Sequence, residues 1–383
     1  MHEMFKALGV QVPIFAFSHC RDVIVEVSKA GGIGIYGASL HPDEQIREDL
    51  QWIEQQLGAL PYGVDLMIPA KYEGSGNGGP SKAELQQSIP PGYIAFLDGM
   101  MDRYEIPLHQ GWDNPEHERH AYGQRYTAKE SAAILRAAFD FSPRILVSAL
   151  GTPPVEVIAE AHARGMLVGA LAGKVAHAKK HKAAGVDFVV AQSYEAGGHT
   201  GDIGGMVLTP LVVDAISPTP VLAAGGIATG RQMAAALALG ASGVWCGTVW
   251  LTTRESECSP IMREKLVEAT TDDTLRTRCF TGKPARFYRS AWVDEWERPD
   301  APALLPNPFH TAATDRYIER IDIAAARPST TLDSGVGKLV SKPAGQVVAL
   351  ITSETSCRQV MADMISGCVD ALDRVSTGLG MTE

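Results

Sequence analysis

The chain has 383 residues, 45% hydrophobic and 20% charged, an ordinary globular balance with enough apolar material for a large core. A formal net charge of -10 and a pI of about 5.6 argue against nucleic acid or an anionic membrane as the main partner. The six cysteines, Cys20, Cys246, Cys258, Cys279, Cys357 and Cys368, form neither a C-x-x-C pair nor a disulfide framework, so reduced thiols in a cytoplasmic setting are expected.

Residues 1–9 lack the features of a signal peptide, and no apolar run approaches the roughly 20 residues that span a bilayer. The short apolar run 12–17 reads as a first strand. Residues 21–30 carry Val23, Ile24 and Val27 at helical spacing, Gly31 and Gly32 end that helix, and 33–36 reads as a second strand. Pro42, Asp43 and Glu44 mark a helix N-terminus, and Ile46, Leu50, Ile53 and Leu57 mark its apolar face. Residues 63–67 form the third strand. Residues 68 to about 126 read as an insertion, a lid or the contact of a homodimer. Within it 71–81 is rich in Gly, Ser and Pro, 94–104 is helical, and 109–126 is polar and aperiodic.

A helix over 127–139 leads back into regular alternation. Strands are predicted at 145–148, 166–171, 188–191, 221–224 and 243–246, with helices at 154–164, 175–184, 209–216 and 230–239. Eight short apolar strands alternating with helices predict an α/β fold, a (β/α)8 TIM barrel with its insertion between strands 3 and 4. The alternation stops at about residue 253. Residues 259–270 and 353–375 read as helices on either side of a Pro- and Trp-rich stretch, 291–310. The expectation is a barrel over 1–252 carrying a mainly helical C-terminal addition over 253–383.

Two stretches invite misreading. Gly32-Ile-Gly-Ile-Tyr-Gly37 matches the dinucleotide pattern G-x-G-x-x-G, but a helix precedes it and a strand runs through it, the reverse of what pyrophosphate binding needs. The basic run His177-Ala-Lys-Lys-His-Lys182 lies on a predicted helix and reads as a solvated outer face.

Reactive groups of such a barrel sit just past the C-terminal strand ends. After strand 7 comes Ala223-Ala-Gly-Gly-Ile-Ala-Thr-Gly230, and after strand 8 Cys246-Gly-Thr-Val249. Glycines there let backbone N–H groups approach a phosphate; two ordinary tight turns are the plainer alternative. After strand 6 lie Gln192, Tyr194, Glu195 and the loop Gly197-Gly-His-Thr-Gly-Asp-Ile-Gly-Gly205, five glycines around one histidine. Asp65 lies at strand 3, and Ala16, Phe17 and His19 offer a flat, partly apolar wall at strand 1.

The stretches Ala191-Gln-Ser-Tyr-Glu-Ala-Gly-Gly-His-Thr-Gly201, 223–230 and 246–248 together resemble the nitronate monooxygenase family, formerly called 2-nitropropane dioxygenases. Residues 30–34, 63–67, 281–286 and 344–346 resemble it too. The resemblance implies FMN at the barrel mouth, with its phosphate against Gly225, Gly226, Gly247 and Thr248. It places Gln192, Gly197 and Gly198 near the ribityl chain and ring, and Ala16, Phe17 and Asp65 as further cofactor-binding positions. It also implies oxidation of an alkyl nitronate with O2 to a carbonyl compound and nitrite, without metal. His199 matches the family's catalytic histidine, a base toward a nitroalkane and an anion-holding group toward a nitronate. Departures are Asp65, where Asn is common, the long insertion, and the segment 289–296. The same motifs occur in FMN-dependent reductases that use NAD(P)H on a quinone or an enoyl-CoA-like acceptor, which is the alternative reading. A barrel that only binds a phosphate ligand is a third.

Overall fold

The computed structural model describes residues 2–68, 82–108 and 128–380. Eight parallel strands close a barrel: β1 (Ile14–Ser18), β2 (Ile33–Gly37), β3 (Tyr62–Leu66), β4 (Ile145–Ser148), β5 (Leu167–Ala172), β6 (Phe188–Gln192), β7 (Val221–Ala224) and β8 (Gly243–Cys246). Closure is made by β8 on β1, with Ile14 opposite Val244 and Ala16 opposite Cys246. The predicted (β/α)8 barrel is therefore the observed one.

Strand alternation sorts the side chains. Phe15, Ile33, Ile35, Val147, Phe188 and Trp245 turn inward and fill the barrel. Tyr62, Val64, Leu66 and Leu146 turn outward onto the helices. Helix α1 (Glu3–Ala7) seals the N-terminal end with Phe5, whose ring meets Phe15 edge-on at 4.8 Å. Small residues stand where large neighbours lean. A Cβ on Gly169 would fall 2.3 Å from the Phe188 ring, and one on Gly34 would fall 2.4 Å from the Ile24 carbonyl. Gly34 belongs to the G-x-G-x-x-G match, so its glycine serves helix-on-strand packing.

The outer ring comprises α2 (Arg21–Lys29), α3 (Asp43–Leu57), α6 (Ala128–Phe139), α7 (Val155–Ala163), α8 (Val175–Ala184), α9 (Gly205–Ile216) and α10 (Gly230–Ala238). Its eighth place is taken by the last helix of the chain, α15 (Cys357–Gly378), which packs on both α10 and α2. Val360, Met361 and Met364 of α15 share a core with Val23 and Val27 of α2 and Met233 of α10. The sequence groups this helix with the C-terminal addition; in the fold it completes the barrel's helical ring. On α8, His181 corrects the solvated-face reading. It is buried, with Thr152 Oγ1 2.9 Å from its Nδ1 and the Leu171 carbonyl 3.0 Å from its Nε2, while His177, Lys179, Lys180 and Lys182 are exposed.

A second core lies outside the barrel. The described part of the insertion forms α4 (Lys82–Gln87) and α5 (Pro91–Arg103). These pack on the C-terminal residues, which form α11 (Pro260–Glu268), α12 (Ala291–Trp296), α13 (Phe309–Ala325) and α14 (Gly335–Leu339). Tyr93, Leu97 and Met100 meet Phe280, Trp292 and Tyr317 there. Tyr317 donates to Asp98 at 2.8 Å, Arg103 pairs with Glu295 at 2.5 Å, and Tyr93 Oη lies 2.5 Å from His310 Nδ1. The described helices of the insertion form one half of an intrachain core, and 71–81 and 109–126 lie outside the described residues. All six cysteines are buried and free, and among the described residues no helix is long and apolar enough to cross a membrane.

The junction of α10 and α15 generates a stability prediction. A Cβ on Gly230 would fall 2.1 Å from the Cys368 backbone nitrogen and 2.4 Å from the Met364 carbonyl, atoms that move only with the helix. Gly230→Ala should destabilise the protein by about 1–3 kcal/mol, read as a lower melting temperature. Gly92→Ala, in α5 with open space around it, should be neutral or stabilising by roughly 0.4–1 kcal/mol. Equal melting temperatures for both variants would contradict this account of the eighth helix.

Candidate functional site

The C-terminal strand ends form the mouth, and alternation decides which side chains face it. Phe17 continues the inward set of β1 and stacks on Trp245 of β8, with ring centroids 6.0 Å apart. His19 meets Phe17 edge-on at 5.1 Å, so the wall expected at strand 1 exists, with Trp245 as an unpredicted part of it. Ala16 is a correction. Its side chain turns outward and is fully buried with Val23 and Val27, so only its backbone can border the mouth. Asp65 turns inward, between Gly37 and Val147 in the strand register, and Gln192 ends β6 beside Ala224. The Gln192 amide makes no hydrogen bond among the described residues.

The glycines after β7 and β8 form a shallow donor cradle. Gly225 and Gly226 have φ of 94° and 70°, a region that residues with a Cβ rarely adopt. A Cβ on Gly225 would also fall 2.4 Å from Ser193 Oγ. Among the described residues the backbone N–H groups of Gly225, Gly226 and Gly247 have no acceptor. Thr248 opens a single 3-10 turn, and its hydroxyl accepts from the Gly345 N–H at 2.9 Å. That leaves the hydroxyl proton to donate elsewhere. Three free donors at neighbouring strand ends suit an anionic group such as a phosphate.

The Gly-His loop is held from three sides. Glu195 accepts from the Gly205 N–H at 3.0 Å through both carboxylate oxygens, so α9 begins four residues before its predicted start. The Glu195 carbonyl accepts from Gln346 at 3.0 Å, and a Cβ on Gly197 would fall 3.0 Å from the Ala344 backbone. Gly198 and His199 then form a short strand that pairs with β10 (Ala285–Tyr288), which pairs in turn with β9 (Thr274–Thr277). The buried Arg286 of β10 makes no ion pair among the described residues. It donates to the Tyr194 carbonyl at 3.2 and 3.3 Å, and its guanidinium lies 4.6 Å from the Tyr194 ring centre.

Two histidines and one carboxyl carry shifted pKa values. His199 keeps an exposed edge, but crowding of its ring lowers its pKa, partly offset by the Pro284 carbonyl 3.3 Å from Nδ1. Because a carbonyl only accepts, neutral His199 carries its proton on Nδ1 and leaves the Nε2 lone pair free. Burial brings His19 down to about 4, and its Nδ1 donates to the Gly37 carbonyl at 2.6 Å. Burial alone holds the Asp65 carboxyl well above the usual carboxylate range.

The fold thus brings Phe17, Asp65, Gln192, Gly197, Gly198, His199, Gly225, Gly226, Gly247 and Thr248 to one end of the barrel, as their strand-end positions require. Sequence reasoning missed Ser193, Trp245 and Arg286. Ser193 is buried with no partner for its Oγ, and its only signal was its place one residue past β6. Trp245 was visible as the inward residue of β8. For Arg286, the turn Thr281-Gly-Lys-Pro284 between two short strands was the available signal.

A Mycobacterium tuberculosis protein that carries the name of a monooxygenase is 47% identical over 370 residues, 97% of each chain. A Staphylococcus aureus (strain Newman) protein named a probable nitronate monooxygenase is 27% identical over 77% of this chain and 80% of its own. The solved nitroalkane oxidase of Streptomyces ansochromogenes superimposes with a TM-score of 0.77 at 26% identity, covering 98% of this chain and 100% of that one. FabK from Thermotoga maritima, at 23% identity and a TM-score of 0.68 over 98% and 99% of the two chains, shares the fold. The family model described as nitronate monooxygenase matches residues 7–367, and the chain belongs to the nitronate monooxygenase family.

Proposed function

We propose that the protein binds FMN at the barrel mouth and oxidises alkyl nitronates or nitroalkanes with O2 to carbonyl compounds and nitrite. One observation carries this reading: a cradle of acceptor-free N–H groups at Gly225, Gly226 and Gly247 shares the mouth with a histidine whose Nε2 is free. The residues present fit the cofactor. Gly225, Gly226, Gly247 and the Thr248 hydroxyl would hold the phosphate, and Gln192, Gly197 and Gly198 would border the ribityl chain and ring. The Phe17–Trp245 stack would lie beneath, with the Ala16 backbone beside it. The unpartnered Ser193 Oγ and Asp65 Oδ2 support this, since each buried polar group left alone costs about 1–3 kcal/mol that a polar ligand can recover. Bound FMN supplies the redox chemistry.

The chain's own residues handle the proton and the anion. His199 Nε2 takes the acidic C–H proton of a neutral nitroalkane, and the imidazolium so formed holds the resulting nitronate. A nitronate that arrives already ionised needs only the second role. The open backbone at Gly198 leaves room for that substrate beside the ring.

Anaerobic titration of the yellow holoprotein tests the reading. Propyl-2-nitronate alone should bleach the flavin, and NADH or NADPH alone should not. Bleaching by NAD(P)H alone would establish the reductase reading instead, and a protein that takes up no FMN would overturn both. The variant His199→Ala should keep FMN and lose roughly 100-fold or more in kcat/KM on the neutral nitroalkane, the scale of a general base. Its activity on preformed nitronate should fall less. Because crowding lowers the pKa of His199, its base form is already dominant at pH 6.5. In the wild type the His199-dependent limb of the nitroalkane pH profile should therefore lie below pH 6.5, and in the variant it should vanish.

A further inference from the structure

Asp65 is the residue at the mouth whose chemistry the fold leaves open. On β3, Tyr62, Val64 and Leu66 face the helices, so Gly63 and Asp65 face the barrel axis. Gly63 lies under Ile35 and Ile145, and Asp65 stands one layer above it, toward the mouth. The residue is 4% exposed, and its Oδ2 has no hydrogen-bond partner. No basic side chain pairs with it among the described residues. Its neighbours in register are Gly37 on β2 and Val147 on β4. His19, just past β1, has its Nδ1–H committed to the Gly37 carbonyl of β2. Lys342, behind His19, is paired with Asp322 at 2.6 Å. His199 stands on the small sheet, turned to Pro284.

A buried carboxylate with no cation and no donor is a high-energy group, whereas a buried carboxylic acid has a proton to give. We propose that Asp65 meets the bound flavin as a neutral carboxylic acid and donates a hydrogen bond to the acceptor-rich edge of the isoalloxazine ring. This inference rests on the FMN reading above. An ionised carboxylate there would offer only lone pairs and negative charge, which oppose the electron-rich reduced ring. Burial alone, with no charged neighbour acting on it, favours the neutral form.

The test has a cofactor-free arm and a cofactor arm. The native carboxyl keeps its proton at pH values where the unfolded one has lost it. The contribution of Asp65 to apoprotein stability therefore falls as pH rises above the ordinary carboxylate pKa of about 3.9. Asp65→Asn should remove that loss, so the variant should melt progressively higher than wild type from pH 4 to pH 8. In the holoprotein, the infrared spectrum of wild type should contain a protonated-carboxyl C=O band that responds to FMN and is absent in Asp65→Asn. FMN affinity should be retained in Asp65→Asn and fall about tenfold in Asp65→Ala, the loss of one hydrogen bond in a buried site. Wild type that takes up no FMN overturns the functional reading. Wild type that binds FMN but lacks the band, or Asp65→Ala that binds FMN as tightly as wild type, overturns the Asp65 proposal alone.

Discussion

The mouth of this barrel depends on one strap of backbone. The Gly345 N–H donates to the Thr248 hydroxyl past β8, and the Gln346 N–H donates to the Glu195 carbonyl past β6. Two loops from different strands are thereby tied through a segment that lies 97 residues beyond Thr248 at its Gly345 end. The strap needs close approach on both sides. A Cβ on Gly345 would fall 2.7 Å from the Glu195 carbonyl, and one on Gly197 would fall 3.0 Å from the Ala344 backbone. The glycines of the Gly-His loop therefore serve the protein before they serve any ligand. They let the tail lie against the loop, and the tail then fixes where the loop carries His199.

Much of this was legible in the sequence because barrel strands are short, apolar and evenly alternating. Strands such as 145–148, 221–224 and 243–246 appear where they were expected, and the strand-end rule then locates Gln192, Gly225, Gly226 and Gly247 without further information. What stayed hidden was long-range. The periodicity of residues 357–378 shows a helix, but nothing local shows that its partners are α2 and α10. Gly230 looks like the end of a phosphate motif and is in fact the contact point for that helix. The sheet that pairs Gly198 and His199 with β10 joins residues more than 80 positions apart, and its strands are too short and polar to announce themselves. His181 and Ala16 were misplaced for a related reason: a residue type gives no direction, and which way each faces is set by its element's packing.

The chain excursion between β8 and the final helix has a structural logic. Residues 253–356 build a second core with α4 and α5 of the insertion, and the strap at 345–346 emerges from that core. Tyr93, Tyr317, Arg103 and Glu295 lock the insertion onto the C-terminal residues. A disturbance in this satellite core therefore has a short route to the Gly-His loop, through the ion pair of Lys342 with Asp322 of α13, along the chain to Ala344, and across its packing contact with Gly197.

A buried histidine of the satellite core and two buried polar side chains at the mouth are satisfied differently. His310 is as buried as any residue at the mouth, yet both its ring nitrogens have partners, Tyr93 and the Cys279 carbonyl. Asp65 and Ser193 are equally buried and have none. Protein interiors rarely leave such atoms alone. Standing beside three donor N–H groups, these two atoms support a mouth whose hydrogen-bond complement lies outside the chain. That complement must offer an anion to the glycines, an apolar body to Phe17 and Trp245, and polar edges to Asp65 and Ser193. A phosphorylated aromatic cofactor has all three, and a bare phosphate or a small apolar substrate has one.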